Sequence, residues 1–100
     1  MKDPRFTDLA RLLVSHSAKI QPGEKVLIEA FDIPPEFTVE LIRTVAAAGG
    51  VPLVSTYNQL VQRALFQAGS EEQMKLWASI DRGRMEQMQA YIGVRGSHNI

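Results

Sequence analysis

The stretch of residues 25–57 constrains the fold of this chain more than any other part of it. The run from Val26 to Ile28 is continuously apolar, which is typical of a strand buried on both faces of a parallel sheet. A helical pattern follows, and the segment from Val51 to Tyr57 is rich in residues that favour strands. The order of strand, helix and strand has the length of a βαβ unit. We therefore expect an α/β fold.

The helix inside this unit has clear limits in the sequence. Pro34 and Pro35 break the first strand and begin the helix, and the pair of glycines at 49–50 ends it, as expected of a C-terminal cap. Its apolar residues share one face: Phe37, Leu41, Ile42 and Val45. Pro52 cannot donate a ladder hydrogen bond, so the second strand is predicted at an edge of the sheet.

Further elements are predicted on either side of the unit. A first helix begins near Pro4, after Asp3 as its cap. Its apolar stripe is predicted to consist of Phe6, Leu9, Leu13 and His16. His16 is interpreted as a partly buried or helix-end histidine. A third strand is predicted from Ala90 to Arg95.

Two more helices are predicted between the second and third strands. Asn58 caps one that Gly69 stops, and Ser70 with Gln73 has the spacing of a capping box for the next. This last helix is expected to be interrupted at residues 82–84, where Gly83 lies between two arginines. Its large apolar residues are interpreted as core, with the alternative that some face a partner domain: Met74, Trp77, Met85 and Met88.

These elements predict a three-layer α/β domain, with a small parallel sheet of order 2-1-3 flanked by about four helices. Parallel crossovers are right-handed, and this strand order has a topological switch point between strands one and three. Ligands of open α/β sheets bind in the crevice beyond the strand carboxyl ends at such a point. The loops would contribute four candidate residues to this crevice: Asp32, Ser97, His98 and Asn99.

Composition narrows the classes of function. The chain has 100 residues and no cysteine, so disulfides and thiolate metal sites are excluded. Eleven basic residues balance eleven acidic ones, which argues against nucleic acid or an anionic membrane as a partner. No histidine pair has a metal-ligand spacing, and no serine lies in a nucleophile-elbow motif. We expect no catalytic residue and no bound metal in this chain.

The first half of the chain resembles the start of the aminopeptidase T family of metalloaminopeptidases. The resemblance lies in Ile20 and the Pro-Gly-Glu turn at 22–24, the apolar strand, the Ala-Ala-Ala-Gly-Gly helix end at 46–50, and the strand that closes at Tyr57. It extends more weakly to Arg63, the helix start at 70–73, Arg95 and Asn99. These motifs are structural, so they indicate a type of domain more than an activity.

The resemblance implies a cytoplasmic enzyme that removes N-terminal residues from peptides with two divalent metal ions, such as zinc or cobalt. The family's metal ligands belong to a C-terminal catalytic domain, so none is carried over to this sequence. The chain is then expected to be one α/β domain, residues 1–100, from a longer two-domain enzyme, inactive alone and prone to form a homodimer. The alternatives are a free-standing small-ligand module and a protein-interaction domain.

Overall fold

A computed structural model describes residues 3–96 as a parallel sheet with helices on both faces. The strands are β1 (Lys25–Phe31), β2 (Val51–Tyr57) and β3 (Ala90–Arg95). The helices are α1 (Pro4–Leu12), α2 (Pro35–Ala47), α3 (Gln59–Ala68) and α4 (Glu71–Glu86), and a π-helical turn, Leu13–Ser17, continues α1. The predicted α/β class and helix number are confirmed.

The sheet has the strand order β2-β1-β3, as predicted. β1 is the central strand and pairs in parallel with both neighbours. Val26, Leu27 and Ile28 are each at most 1% exposed, because helices or neighbouring side chains cover both faces of this strand. Pro52 lies on β2, which pairs only with β1 among the described residues, so its missing N–H costs no ladder hydrogen bond.

The hydrophobic core lies between one face of the sheet and the helices α1 and α2. Its buried members come from both helices, the strands and the loop before β1: Ala10, Val14, Ile20, Val26, Ile28, Phe37, Leu41, Val45 and Ile92. The rings of Phe6 and Phe37 meet at a centroid distance of 5.3 Å and join the two helices. The predicted apolar face of α2 is confirmed, with Ile42 partly buried beside the core.

The apolar stripe predicted for the first helix was wrong in part. Ala10 and Val14 are buried, whereas Leu9 is 43% exposed and His16 is exposed. The helix turns Ala10 inward because a small side chain allows α1 to approach the core closely. His16 lies in the π-helical turn at the end of the helix, which agrees with the helix-end interpretation.

The turn before β1 is joined to the end of α2. Gly23 N–H donates to the carbonyl of Gly49 over 2.8 Å, and Val51 N–H donates to the carbonyl of Glu24 over 2.7 Å. Gly49 has a φ of +87°, and a Cβ there would lie 3.1 Å from Pro22. Two of the motifs that carry the family resemblance are therefore in direct contact.

The helices α3 and α4 lie on the opposite face of the sheet and bury no complete side chain. Trp77 is 49% exposed, and Met74 and Met85 are 38% and 36% exposed. The interpretation of these residues as core was therefore wrong; only Met88 is half-buried. Periodicity identifies the apolar residues of a helix but does not show whether the described chain covers them.

The predicted interruption of the fourth helix was also wrong. α4 is continuous through Gly83, where a Cβ would meet no atom within 4 Å. The cost of about 1 kcal/mol for an interior glycine is too small to break a helix of this length. The predicted helix starts are confirmed, since Asn58 Oδ1 accepts from Leu60 N–H and Ser70 Oγ accepts from Gln73 N–H.

Candidate functional site

The site lies on the sheet face that α3 and α4 cover. The parallel register places side chains of the three strands side by side in rows across this face. From the carboxyl end of the strands, the rows are Tyr57, Phe31 and Arg95, then Ser55, Glu29 and Gly93, then Leu53, Leu27 and Tyr91. This face therefore changes from apolar to polar and aromatic toward the carboxyl edge.

The outermost row forms a stack of two aromatic rings with a cation at one side. The rings of Phe31 and Tyr57 stack with centroids 4.7 Å apart. The guanidinium of Arg95 lies 4.2 Å from the centroid of the Phe31 ring, within the range of a cation–π contact. The sheet register thus holds two rings and a positive charge side by side.

Glu29 is the polar centre of the next row, with a side chain that is only 14% exposed. Its Oε2 accepts from the Tyr57 hydroxyl over 2.8 Å and from Arg84 Nη2 over 2.9 Å. A carboxylate this buried requires such partners, because desolvation without them would cost several kcal/mol. The arginine reaches it from α4, so the pair also joins that helix to the sheet.

Arg84 makes further bonds that hold its guanidinium in place. It donates to Ser55 Oγ and to Asp81 Oδ1, each over 2.5 Å. Hydrogen bonds with Tyr57 and then Asp81 raise the pKa of Arg84 above its usual range, although burial acts in the opposite direction. The guanidinium is therefore charged at every pH at which the protein is folded, and its single positive charge is shared between the two neighbouring carboxylates.

Tyr91 occupies the space that glycine leaves in the middle row. A Cβ at Gly93 would lie 2.7 Å from the Tyr91 hydroxyl oxygen, so the tyrosine side chain extends across that glycine. Burial, followed by the nearby Glu29 carboxylate, raises the pKa of Tyr91 above its ordinary value. The absence of a side chain at Gly93 therefore provides the room for the Tyr91 ring.

A cavity of about 640 Å³ opens above these rows, between the sheet and the two helices. This volume is within the range of pockets that hold small molecules. It is lined from the strands by Glu29, Phe31, Tyr57 and Arg95, from α3 by Gln59, Gln62, Arg63, Phe66 and Gln67, and from α4 by Trp77 and Asp81. Aromatic rings, three amides and the guanidinium groups of Arg63 and Arg95 thus surround one space.

The predicted crevice residue Asp32 lies beyond the carboxyl end of β1, beside this cavity and not in its lining. Its carboxylate Oδ2 accepts from Gln59 N–H over 2.9 Å, at the first residue of α3. Its backbone has a φ of +55°, and its carbonyl lies so close to Gly96 that a Cβ there would overlap it. Asp32 also lines a smaller cavity of about 320 Å³ with Asn58, Gln59, Leu60 and Arg63.

The other predicted crevice residues, Ser97, His98 and Asn99, lie outside the described residues. Within residues 3–96, no group of three or more metal-ligating side chains is close enough to hold an ion. No helix among residues 3–96 has the length and apolar character needed to cross a membrane.

Sequence reasoning missed the network around Glu29. The available signal was that Glu29 lies between apolar residues in the middle of a strand. Acidic residues are almost never buried without a partner, so this position indicated a paired carboxylate. The partner could not be identified in the same way, because Arg84 is 55 positions further along the chain. Arg63, Arg95 and Trp77 were noticed in the sequence, but not as neighbours of one cavity.

Comparisons with known proteins do not identify a family for this chain. No protein-family model matches the chain, and a search of curated proteins finds no significant match.

Proposed function

We propose that this chain is the N-terminal, non-catalytic domain of a metal-dependent aminopeptidase of the aminopeptidase T type. The parent enzyme would be cytoplasmic and would hydrolyse N-terminal residues from peptides with two divalent metal ions held by a second domain. The proposal rests on the resemblance of residues 20–57. The contact between the turn at 22–24 and the helix end at Gly49 supports it, because both motifs then serve one structural joint.

An exposed apolar surface on the third and fourth helices also supports a partner domain. This α3–α4 surface comprises Leu60, Val61, Phe66, Leu76 and Ile80, which are between 59% and 74% exposed. Two neighbouring helices that expose this many large apolar side chains have the composition of a contact site for another protein or domain. In the parent enzyme, the catalytic domain would pack against this surface and cover it. In that parent the present domain would supply scaffold and part of the wall of the substrate cavity.

A direct test is the activity of the purified chain itself. An aminoacyl-anilide substrate is incubated with residues 1–100 in the presence of zinc or cobalt, and with a chelator as control. The proposal predicts no turnover above that of the metal alone. Turnover that requires the protein and that the chelator abolishes would contradict a non-catalytic role.

A further inference from the structure

We propose that the cavity between the sheet and the helices α3 and α4 binds a small organic carboxylate with a planar or aromatic body. The carboxylate would pair with Arg63 and Arg95, and the planar body would lie on the aromatic side chains. This inference does not depend on the aminopeptidase proposal, because the cavity is formed by residues 3–96 alone.

The charges of the cavity favour an anion that carries a single negative charge. Glu29 and Asp81 are both bonded to Arg84, whose single positive charge offsets one of their two negative charges. Within residues 3–96, the guanidinium groups of Arg63 and Arg95 have no hydrogen-bond partner, and that of Arg95 lies over the face of Phe31. Guanidinium groups bind carboxylates through paired hydrogen bonds. With Arg63 and Arg95 included, three guanidinium groups face two carboxylates, which leaves one net positive charge. A monoanion matches this charge better than a dianion such as phosphate.

The aromatic residues of the cavity favour a planar ligand. Phe31 and Tyr57 stack face to face, so the faces that they share are turned toward each other and not toward the cavity. Phe66 of α3 lines the cavity beside them and is 59% exposed. Trp77 lines the same space from α4 with 49% of its surface exposed. Contact between aromatic faces contributes about 0.5–1.5 kcal/mol beyond the burial of area. A flat ligand would use these faces better than a puckered one of equal volume.

The amide groups of the cavity provide hydrogen bonds that would orient a bound ligand. Gln59, Gln62 and Gln67 line it from successive turns of α3, and each side chain can both donate and accept. A few polar groups around an apolar floor are the usual means by which a small-molecule pocket fixes orientation. The lining thus contains an anion-binding part, an aromatic part and orienting groups.

Benzoate is a suitable probe, because it is the simplest flat carboxylate. Its binding can be followed through the fluorescence of Trp77, the only tryptophan in the chain, and through amide shifts of β1 and β3 in NMR spectra. Three comparison compounds are neutral benzamide, puckered cyclohexanecarboxylate and inorganic phosphate. We expect saturable binding of benzoate below about 10 mM, with each comparison compound at least several-fold weaker.

Two variants test the anion-binding part. Arg63→Gln and Arg95→Gln should each weaken benzoate binding about tenfold or more, because each removes a charged hydrogen-bond donor. Arg82→Gln is the control, since Arg82 is exposed on α4 and does not line the cavity; its binding should equal that of the unaltered chain. Arg63 is exposed on α3, so its replacement leaves folding intact even if Arg95→Gln loosens β3.

The inference would be overturned by three results. The first is no saturable change with benzoate in either readout. The second is equal binding of benzamide and benzoate, which would show that charge has no role. The third is unchanged affinity in the Arg63→Gln variant with normal circular dichroism.

Discussion

Arg84 Nη2 donates to Glu29 Oε2 over 2.9 Å, and the two side chains are only 27% and 14% exposed. This ion pair joins α4 to the central strand of the sheet. The helix buries no complete side chain, so the pair and its bonds to Ser55 and Tyr57 are the main specific link between this helix and the sheet.

The pair makes a prediction about stability. Arg84→Met leaves the Glu29 carboxylate with one fewer partner in a largely buried position, and we expect it to lower the free energy of unfolding by about 2–4 kcal/mol. Arg82→Met, on the exposed side of the same helix, should change it by less than about 0.5 kcal/mol. Urea denaturation measures both values. Equal effects of the two substitutions would show that the ion pair does not hold α4.

A second substitution shows whether the two residues act together. Adding Glu29→Gln to Arg84→Met removes the uncompensated charge, so the double variant should be less destabilised than the sum of the single variants. We expect a coupling of about 0.5–3 kcal/mol from this double-mutant cycle. If the effects of the two single substitutions simply add, Arg84 stabilises the chain through its other contacts and not through Glu29.

Substitution of glycine by alanine is expected to change the free energy of unfolding in opposite directions at Gly49 and Gly83. Gly49→Ala should lower the free energy of unfolding by about 1–2 kcal/mol, because φ is +87° and Pro22 lies 3.1 Å from the new Cβ. Gly83→Ala should raise it by about 0.5–1 kcal/mol, because α4 is continuous there and the space is open. Thermal or urea unfolding measures both. A destabilising Gly83→Ala would favour the interrupted helix expected from the sequence.

We expect the free energy of unfolding to decrease at alkaline pH because of Tyr91. Its pKa is raised in the folded chain, so the unfolded chain loses this proton first as the pH rises. The stabilising contribution is complete below the unfolded pKa of about 10 and is lost as the pH rises through the folded pKa. Tyrosinate absorbance, compared between the unaltered chain and Tyr91→Phe, isolates this titration.

Glu29 provides the control for that titration. Burial and the Glu29 carboxylate both raise the pKa of Tyr91, so Glu29→Gln should move it part of the way back toward that of free tyrosine. A pKa of Tyr91 that is ordinary in the unaltered chain would mean that this ring is not held across Gly93.

The isolated chain is expected to self-associate. Among residues 3–96, β3 pairs only with β1, so its other edge has unpaired backbone groups. The α3–α4 surface is a second candidate for contact. Light scattering should detect dimers at high concentration, and Leu76→Glu with Ile80→Glu distinguishes the two routes: dimers that persist use the strand edge, and dimers that dissociate use the helices. A strictly monomeric chain would contradict both.

The sheet was predictable because its signals are local. The buried run at 26–28 and the glycine pair at 49–50 identify one strand and one helix end without reference to the rest of the chain. The cavity was not predictable in the same way, because Glu29, Arg84 and Arg95 come from distant segments. The exposure of Trp77 was also hidden, since a helical pattern does not show whether a covering surface lies within the described chain.

The most direct test of the aminopeptidase proposal is the activity of the polypeptide encoded by the complete reading frame. We predict that the frame continues beyond Ile100 into a domain with carboxylate and histidine metal ligands. Its product should release N-terminal residues from peptides in a reaction that a chelator abolishes and zinc or cobalt restores. A frame that ends at Ile100, or a complete product without metal-dependent aminopeptidase activity, would contradict the proposal.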